Sequence, residues 1–299
     1  MAGVAGRVAP WRQTAWDWRA AGNFIGGGSG TGLLFVAAIA MGPGYPIQAV
    51  IGMVLVGAGL LCVWTEIGRP WRMLNVFRHP HASWMTREAL LAPLLFAAGI
   101  GAIVFGGRVL AWVTAALALA YLFCQARMLH AGRGIPAWRH RSVIPLLLIT
   151  GCTEGAGWCV MTQTLLDARA MPVWLPWLLA GLLIARLLAY VVYRSALVRA
   201  GAPRNALAAL EEFGRRFAAL EVAAVALTVV AVLGPAGGSV AIAGLLAVLA
   251  GGLLKFTIVI RAAFNQGFAL PRLPDRGSGS IGPPVKPGWS GNLTWREDH

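Results

Sequence analysis

Eight long stretches of predominantly apolar residues divide this chain. Each runs to roughly 20 residues, the length at which a helix rising ~1.5 Å per residue crosses ~30 Å of hydrocarbon. They fall near 22–42, 47–66, 88–106, 109–129, 143–164, 173–197, 217–235 and 239–262. The runs are continuous rather than alternating, and far longer than the ~10 residues of a barrel strand. Only a helix satisfies its own backbone in lipid without closing a barrel. The reading is therefore an all-α, polytopic membrane bundle of eight transmembrane helices over residues 1–262. A Pro/Gly-rich tail, 263–299, follows; Pro271, Pro274, Pro283, Pro284 and Pro287 bar it from being a helix. That tail is either disordered or extended along a partner, and Trp289 and Trp295 favour the second.

The formal charge of +14 suggests nucleic acid until the charges are placed. The side that carries the N-terminus, here the basic face, holds Arg7, Arg12, Arg19, Arg69, Arg72, Arg78 and Arg87. Arg127, Arg133, Arg139, Arg141, Arg194, Arg199, Arg204, Arg215 and Arg216 join them, and the tail adds Arg261, Arg272, Arg276, Lys286 and Arg296. These are 21 of the 25 basic residues; Arg108 and Arg169 fall on the opposite face, and Arg186 and Lys255 inside spans. Such asymmetry is the positive-inside signature, so both termini are expected inside a bacterial cytoplasmic membrane. No cleaved signal peptide is expected, since no short apolar stretch with a small-residue cleavage site precedes the first span. No separate basic domain exists to carry nucleic-acid binding.

Cofactor ligands are scarce. Cys62, Cys124, Cys152 and Cys159 lie in spans and do not form the clustered thiolate set of an iron–sulfur centre. The five histidines, His79, His81, His130, His140 and His299, sit on loops, span ends or the tail, with no facing pair for a haem. No metal site is expected. Gly22, Gly26 and Gly30, interleaved with Gly28 and Gly32, have two readings, a phosphate-cradling loop or close helix packing. No strand precedes them, which favours packing. Trp112, Trp174 and Trp177 read as interfacial belt residues. Leu207, Leu210, Phe213 and Phe217, at helical spacing with charges between them, predict a short surface helix over 207–220.

The most distinctive stretch runs Trp64-Thr-Glu-Ile-Gly-Arg-Pro-Trp-Arg-Met-Leu-Asn-Val-Phe, then Ser83-Trp-Met-Thr-Arg-Glu88. Glu66 and Glu88 stand at the hydrocarbon boundary with Arg69, Arg72 and Arg87 nearby, and ionisable groups there are costly unless paired or functional. A quinone needs hydrogen-bond donors at its carbonyls and two protons for its two-electron reduction, which carboxylates and arginines at a wet membrane edge can supply. Alternatively, these groups simply pair with one another and with lipid phosphates.

The Glu66-Ile-Gly-Arg-Pro-Trp-Arg-Met-Leu-Asn block and Thr86-Arg-Glu88-Ala resemble the loop between the second and third spans of the dimethyl-sulfoxide-reductase anchor-subunit family. Trp16-Asp-Trp18, and Arg127 followed by Ile135-Pro-Ala-Trp138, extend the resemblance. It covers most of the chain in topology, with the specific motifs in the first half. The resemblance implies a membrane anchor without metal of its own, partnered by an iron–sulfur subunit and a molybdopterin catalytic subunit, and exchanging electrons with menaquinone or ubiquinone. It implies quinone-binding or proton-transfer roles for Glu88, Arg72, Glu66, Arg87, Trp84, His81 and Asn23. One departure stands out: a family member has histidine in the place of Glu66, and an ionised carboxylate cannot donate a hydrogen bond as histidine can. The charge count places the loop inside, which is nearer to the sulfite- and phenylacetyl-CoA-oxidising complexes, whose catalytic subunits are cytoplasmic.

Two more charges lie deeper. Glu154 and Arg186 both sit ~16 Å from the basic face at ~1.5 Å per residue, which predicts a buried ion pair, structural or part of a proton path. Lys255 is expected to snorkel. Rival readings are a polysulfide-reductase-type anchor and a secondary transporter with Glu154 and Arg186 at its midplane. Against the transporter, the two halves show no repeated interrupted helices.

Overall fold

The computed structural model describes residues 9–41, 45–66, 83–167, 171–234, 238–267, 272–274 and 281–284. Eight of its helices are long and apolar enough to cross a membrane. They are α1 (Trp18–Met41), α2 (Pro46–Glu66), α3 (Trp84–Phe105), α4 (Arg108–Ala131), α6 (Val143–Asp167), α7 (Trp174–Arg199), α8 (Arg204–Leu233) and α9 (Ser239–Phe256). A single turn, α5 (Pro136–Arg139), links α4 to α6, and α9 runs on into a π-helical turn at Thr257–Arg261. The chain is thus an all-α, multi-pass membrane bundle.

The first span and the fifth, α6, are the most enclosed, 72% and 67% buried against 22–39% for α2, α3, α7 and α8. Around them, α2, α4 and α6 pack on α1, α3 on α4, α9 on α6, and α8 bridges α7 and α9. Glycine decides how closely α1 and α6 approach. A Cβ at Gly32 would fall 1.8 Å from the Gly151 carbonyl, and one at Gly155 would fall 2.1 Å from the Gly32 carbonyl. On its other side, Gly30 would meet the Gly52 carbonyl of α2 at 2.4 Å. The glycine run is a packing device, as the packing reading holds.

Two apolar clusters result. One, toward the basic face, gathers Phe24, Leu129, Trp138, Leu146, Tyr193 and Phe217; the other gathers Leu33, Tyr121, Ala156, Leu183, Ala224 and Ala243. Along α1, α6, α7 and α8, the polar residues Ser29, Glu154, Arg186 and Glu221 fall between them and are buried.

The expected surface helix over 207–220 is corrected: those residues form the first half of the unbroken 30-residue α8. Leu210, Phe213 and Phe217 are buried against Tyr190 of α7, and the Tyr190 hydroxyl donates to the Leu210 carbonyl. At ~1.5 Å per residue such a helix spans ~45 Å, so α8 extends well beyond the hydrocarbon. Trp112, Trp174 and Trp177 are exposed at the opposite face, where belt residues belong.

The segments flanking the bundle meet. Gln13 N–H donates to the Ala263 carbonyl at 2.9 Å, and Asn265 N–H to the Trp11 carbonyl at 3.0 Å. Trp138 stacks on Trp16 at 4.8 Å and donates its indole N–H to Ile258 O, 2.8 Å away, in the π turn. The tail also forms a short antiparallel ribbon, β1 (Arg272–Pro274) with β2 (Ile281–Pro284).

Candidate functional site

Ser83 starts α3 by accepting the Thr86 N–H at 3.3 Å. Glu88 follows little more than a turn later, and its side chain points into the bundle with 3% exposure. Glu88 Oε1 accepts Gln125 Nε2 of α4 at 3.0 Å and Asn23 Nδ2 of α1 at 3.3 Å. Gln125 Nε2 also donates to the Asn23 carbonyl at 3.0 Å. The amide fits because α1 carries glycine opposite: a Cβ at Gly27 would stand 2.3 Å from Gln125 Nε2. Asn23 Oδ1 is buried without a hydrogen-bond partner, and the buried Tyr121 hydroxyl faces Glu88. This is a carboxylate held by amide donors beside a tyrosine hydroxyl, with acceptor capacity left over on Asn23, at the basic-face end of the bundle.

Trp84, one turn toward the surface, carries two cations. The Arg87 guanidinium lies 4.1 Å from its ring and that of Arg127 lies 4.7 Å from it, while Phe123 meets it edge-on at 5.8 Å. Of the sequence candidates, Glu88 and Asn23 are therefore brought together, with Trp84 and Arg87 beside them on the same helix start. Glu66 is half-buried at the end of α2, beside Asp17 and Arg19. Arg19 Nη1 donates to the Thr65 carbonyl at 3.1 Å there. Arg72 and His81 lie outside the described residues. Gln125 and Tyr121 were not anticipated; their signal is polar side chains inside a lipid-length run.

The deep charges need a correction. Glu154 does not pair directly with Arg186. Its partner is Lys255, whose Nζ is 2.5 Å from Glu154 Oε2, and Ser29 Oγ donates to the same oxygen at 2.7 Å. Arg186 pairs instead with Glu221, Nη2 to Oε1 at 2.5 Å, and donates from Nη1 to the Ala247 carbonyl at 2.9 Å. The physical reason is the course of α9, which runs between the two charges. A Cβ at Gly251 would fall 2.2 Å from Glu154 Oε1 and 2.7 Å from Arg186 Nη1. Lys255 does not snorkel: it is 1% exposed, and its ammonium lies where a Gly28 Cβ would come within 2.3 Å. Two carboxylates and two cations thus form one buried, formally neutral layer, the arrangement that makes ionised groups tolerable at this depth.

Among the described residues no three His, Cys, Asp or Glu side chains converge as a metal site requires. The chain matches no protein-family model and no curated protein. The class defined by the fold is that of a multi-pass helical membrane protein with a polar layer inside its bundle.

Proposed function

We propose that this chain is the membrane anchor of an iron–sulfur molybdoenzyme complex, binding quinone or quinol near the basic face and exchanging electrons with the iron–sulfur subunit. The observation that carries the reading is Glu88: a carboxylate enclosed by Asn23 and Gln125 one turn below a tryptophan flanked by arginines. Quinone reduction consumes two electrons and two protons. The electrons come from the nearest cluster of the partner subunit, and the proton inventory falls to this chain. Glu88 is suited to carry a proton, and the Trp84 ring positions the Arg87 and Arg127 guanidinium groups beside it. Arg87 is a donor at the depth a lipid-borne head group occupies. The motif resemblance in the first half of the chain supports the same reading. The basic face would be cytoplasmic and would receive the partners, which fits substrate oxidation coupled to quinone reduction.

Glu88→Gln tests it, since the shape stays and the ionisable proton carrier goes. The complex is expected to assemble and to turn over with a soluble artificial acceptor. Quinone-linked turnover should fall about ten- to a hundred-fold, equivalent to about 1.4–2.8 kcal/mol in the barrier. Parental quinone-linked turnover in this variant would remove the site from Glu88.

A second reading, a proton-coupled secondary transporter, is favoured by the four charges enclosed between α6, α7, α8 and α9. Purification in mild detergent separates the two. Co-purifying iron–sulfur and molybdenum subunits support the anchor, and an isolated chain supports the transporter.

A further inference from the structure

We infer that an arginine-lined cavity at the basic face is a site for a phosphate group, carried by the headgroup of an anionic phospholipid. The cavity has a volume of about 510 Å³ and is lined by Trp84, Arg127, His130, Arg133, Arg139 and Arg141. This lies within the ~300–1,000 Å³ typical of small-ligand sites. It is formed where α4 ends and the α5 turn leads into α6, beside the start of α3.

The charge there is one-sided. Arg19, Arg186, Arg194, Arg216 and Arg261 each meet a carboxylate, as does Lys255. Among the described residues, none of Arg127, Arg133, Arg139 and Arg141 forms such a pair. Two of the four are fixed by other contacts. Arg139 Nη1 donates to Gln266 Oε1 at 3.0 Å and to the Arg133 carbonyl at 3.4 Å. Arg127 lies over Trp84 at 4.7 Å. Arg127 Nε and His130 Nδ1 are buried without a hydrogen-bond partner. The fold therefore holds four guanidinium groups around one cavity with their repulsion uncompensated, and an anion entering it gains several charge-assisted bonds. Guanidinium forks match phosphate oxygens in pairs, which makes phosphate a better fit than a halide.

The lipid source follows from what adjoins the cavity. On α4, Trp112, Leu119 and Phe123 are exposed on one lipid-facing stripe, and Arg127 continues it one turn toward the basic face. Phe123 meets the cavity-lining Trp84 edge-on. An acyl chain lying along this stripe delivers its phosphate to the arginines, as basic pockets at the cytoplasmic side of membrane proteins do. A free phosphate has no use for the stripe. The inference does not rest on the quinone reading.

The test is native mass spectrometry of the full chain in mild detergent, titrated with phosphatidylglycerol or with phosphatidylcholine of the same acyl chains. The expected result is about tenfold tighter retention of phosphatidylglycerol. That preference should be lost in the double variant Arg133→Gln/Arg141→Gln and kept in Arg199→Gln/Arg204→Gln, which removes two exposed arginines from the same face outside the cavity. Inorganic phosphate at millimolar concentration should not displace the lipid. Equal retention of the two lipids overturns the proposal, as does an equal loss in Arg199→Gln/Arg204→Gln, which would mean diffuse attraction. Full displacement by inorganic phosphate overturns the lipid source. If the double variant lowers the folded yield, Arg141→Gln alone gives the same comparison.

Discussion

Lys255 Nζ sits 2.5 Å from Glu154 Oε2, with both side chains enclosed between α1, α6 and α9. Lys255→Met should therefore strand a carboxylate in the bundle, and removing one member of a buried pair costs about 3–5 kcal/mol. The melting temperature in detergent should fall accordingly. Adding Glu154→Gln should recover most of the loss. Arg186→Leu combined with Glu154→Gln should recover nothing, because Glu221 and Lys255 each lose their own partner. Equal recovery by both double variants would contradict the observed pairing.

The α1–α6 crossing admits no Cβ at Gly32, whereas Gly181 in α7 has open space around it. Gly32→Ala should lower stability by about 1–3 kcal/mol through overpacking. Gly181→Ala should raise it by up to about 1 kcal/mol, since the helix backbone is stiffened without a clash. Thermal unfolding of the two variants under identical conditions checks the opposed signs.

Asp17 caps the start of α1 and takes hydrogen bonds from Arg19 Nε, Nη2 and backbone N–H. The Arg19 guanidinium beside it holds its carboxyl below the usual carboxylate range. A depressed value in the folded chain means the contribution is present above the unfolded value and is lost as pH falls through the folded one. Asp17→Asn should thus unfold at a lower temperature than the parent at neutral pH. The gap should narrow once the pH drops below about 4, the unperturbed aspartate range. A gap unchanged down to pH 2 would mean the side-chain amide replaces the carboxylate fully.

A reporter fused after His299 that is active only outside the cytoplasm should stay silent, because the sequence leads us to expect 21 of the 25 basic residues on one face. Activity would invert the topology and move the proposed partners to the other side of the membrane.

The helices were legible because lipid imposes one length and one composition on each span. The eight expected runs all reappear as helices, with ends displaced by a few residues, as where α3 begins at Trp84 rather than at Glu88. Partner choice among the charges was not legible. Depth along a span gives height in the membrane but no azimuth, so Glu154 and Arg186 look like a pair until α9 is seen between them. Glu221 escaped notice because it stands near the start of the expected 217–235 span, directly after the stretch read as a surface helix, where a carboxylate is expected to reach water. Gln125 carries only the weak signal of one amide in an apolar run, and its link to Glu88 depends on α3 and α4 lying side by side. The arginine cavity combines residues from a span end and a loop whose convergence no spacing rule gives.

The bridge between Arg12 and Phe264, with Trp16 stacked on Trp138, joins the segment before the first span to the residues just after the last span. Residue 264 emerges from the ribosome only after all eight spans have been made. Until then the segment around Trp11 has nothing to bind, and the sequence Trp11–Trp16 stays accessible on the basic face. The clasp thus closes only when the whole bundle has been made. A chain truncated in the seventh or eighth span is expected to leave this segment open, which limited proteolysis of such truncations checks.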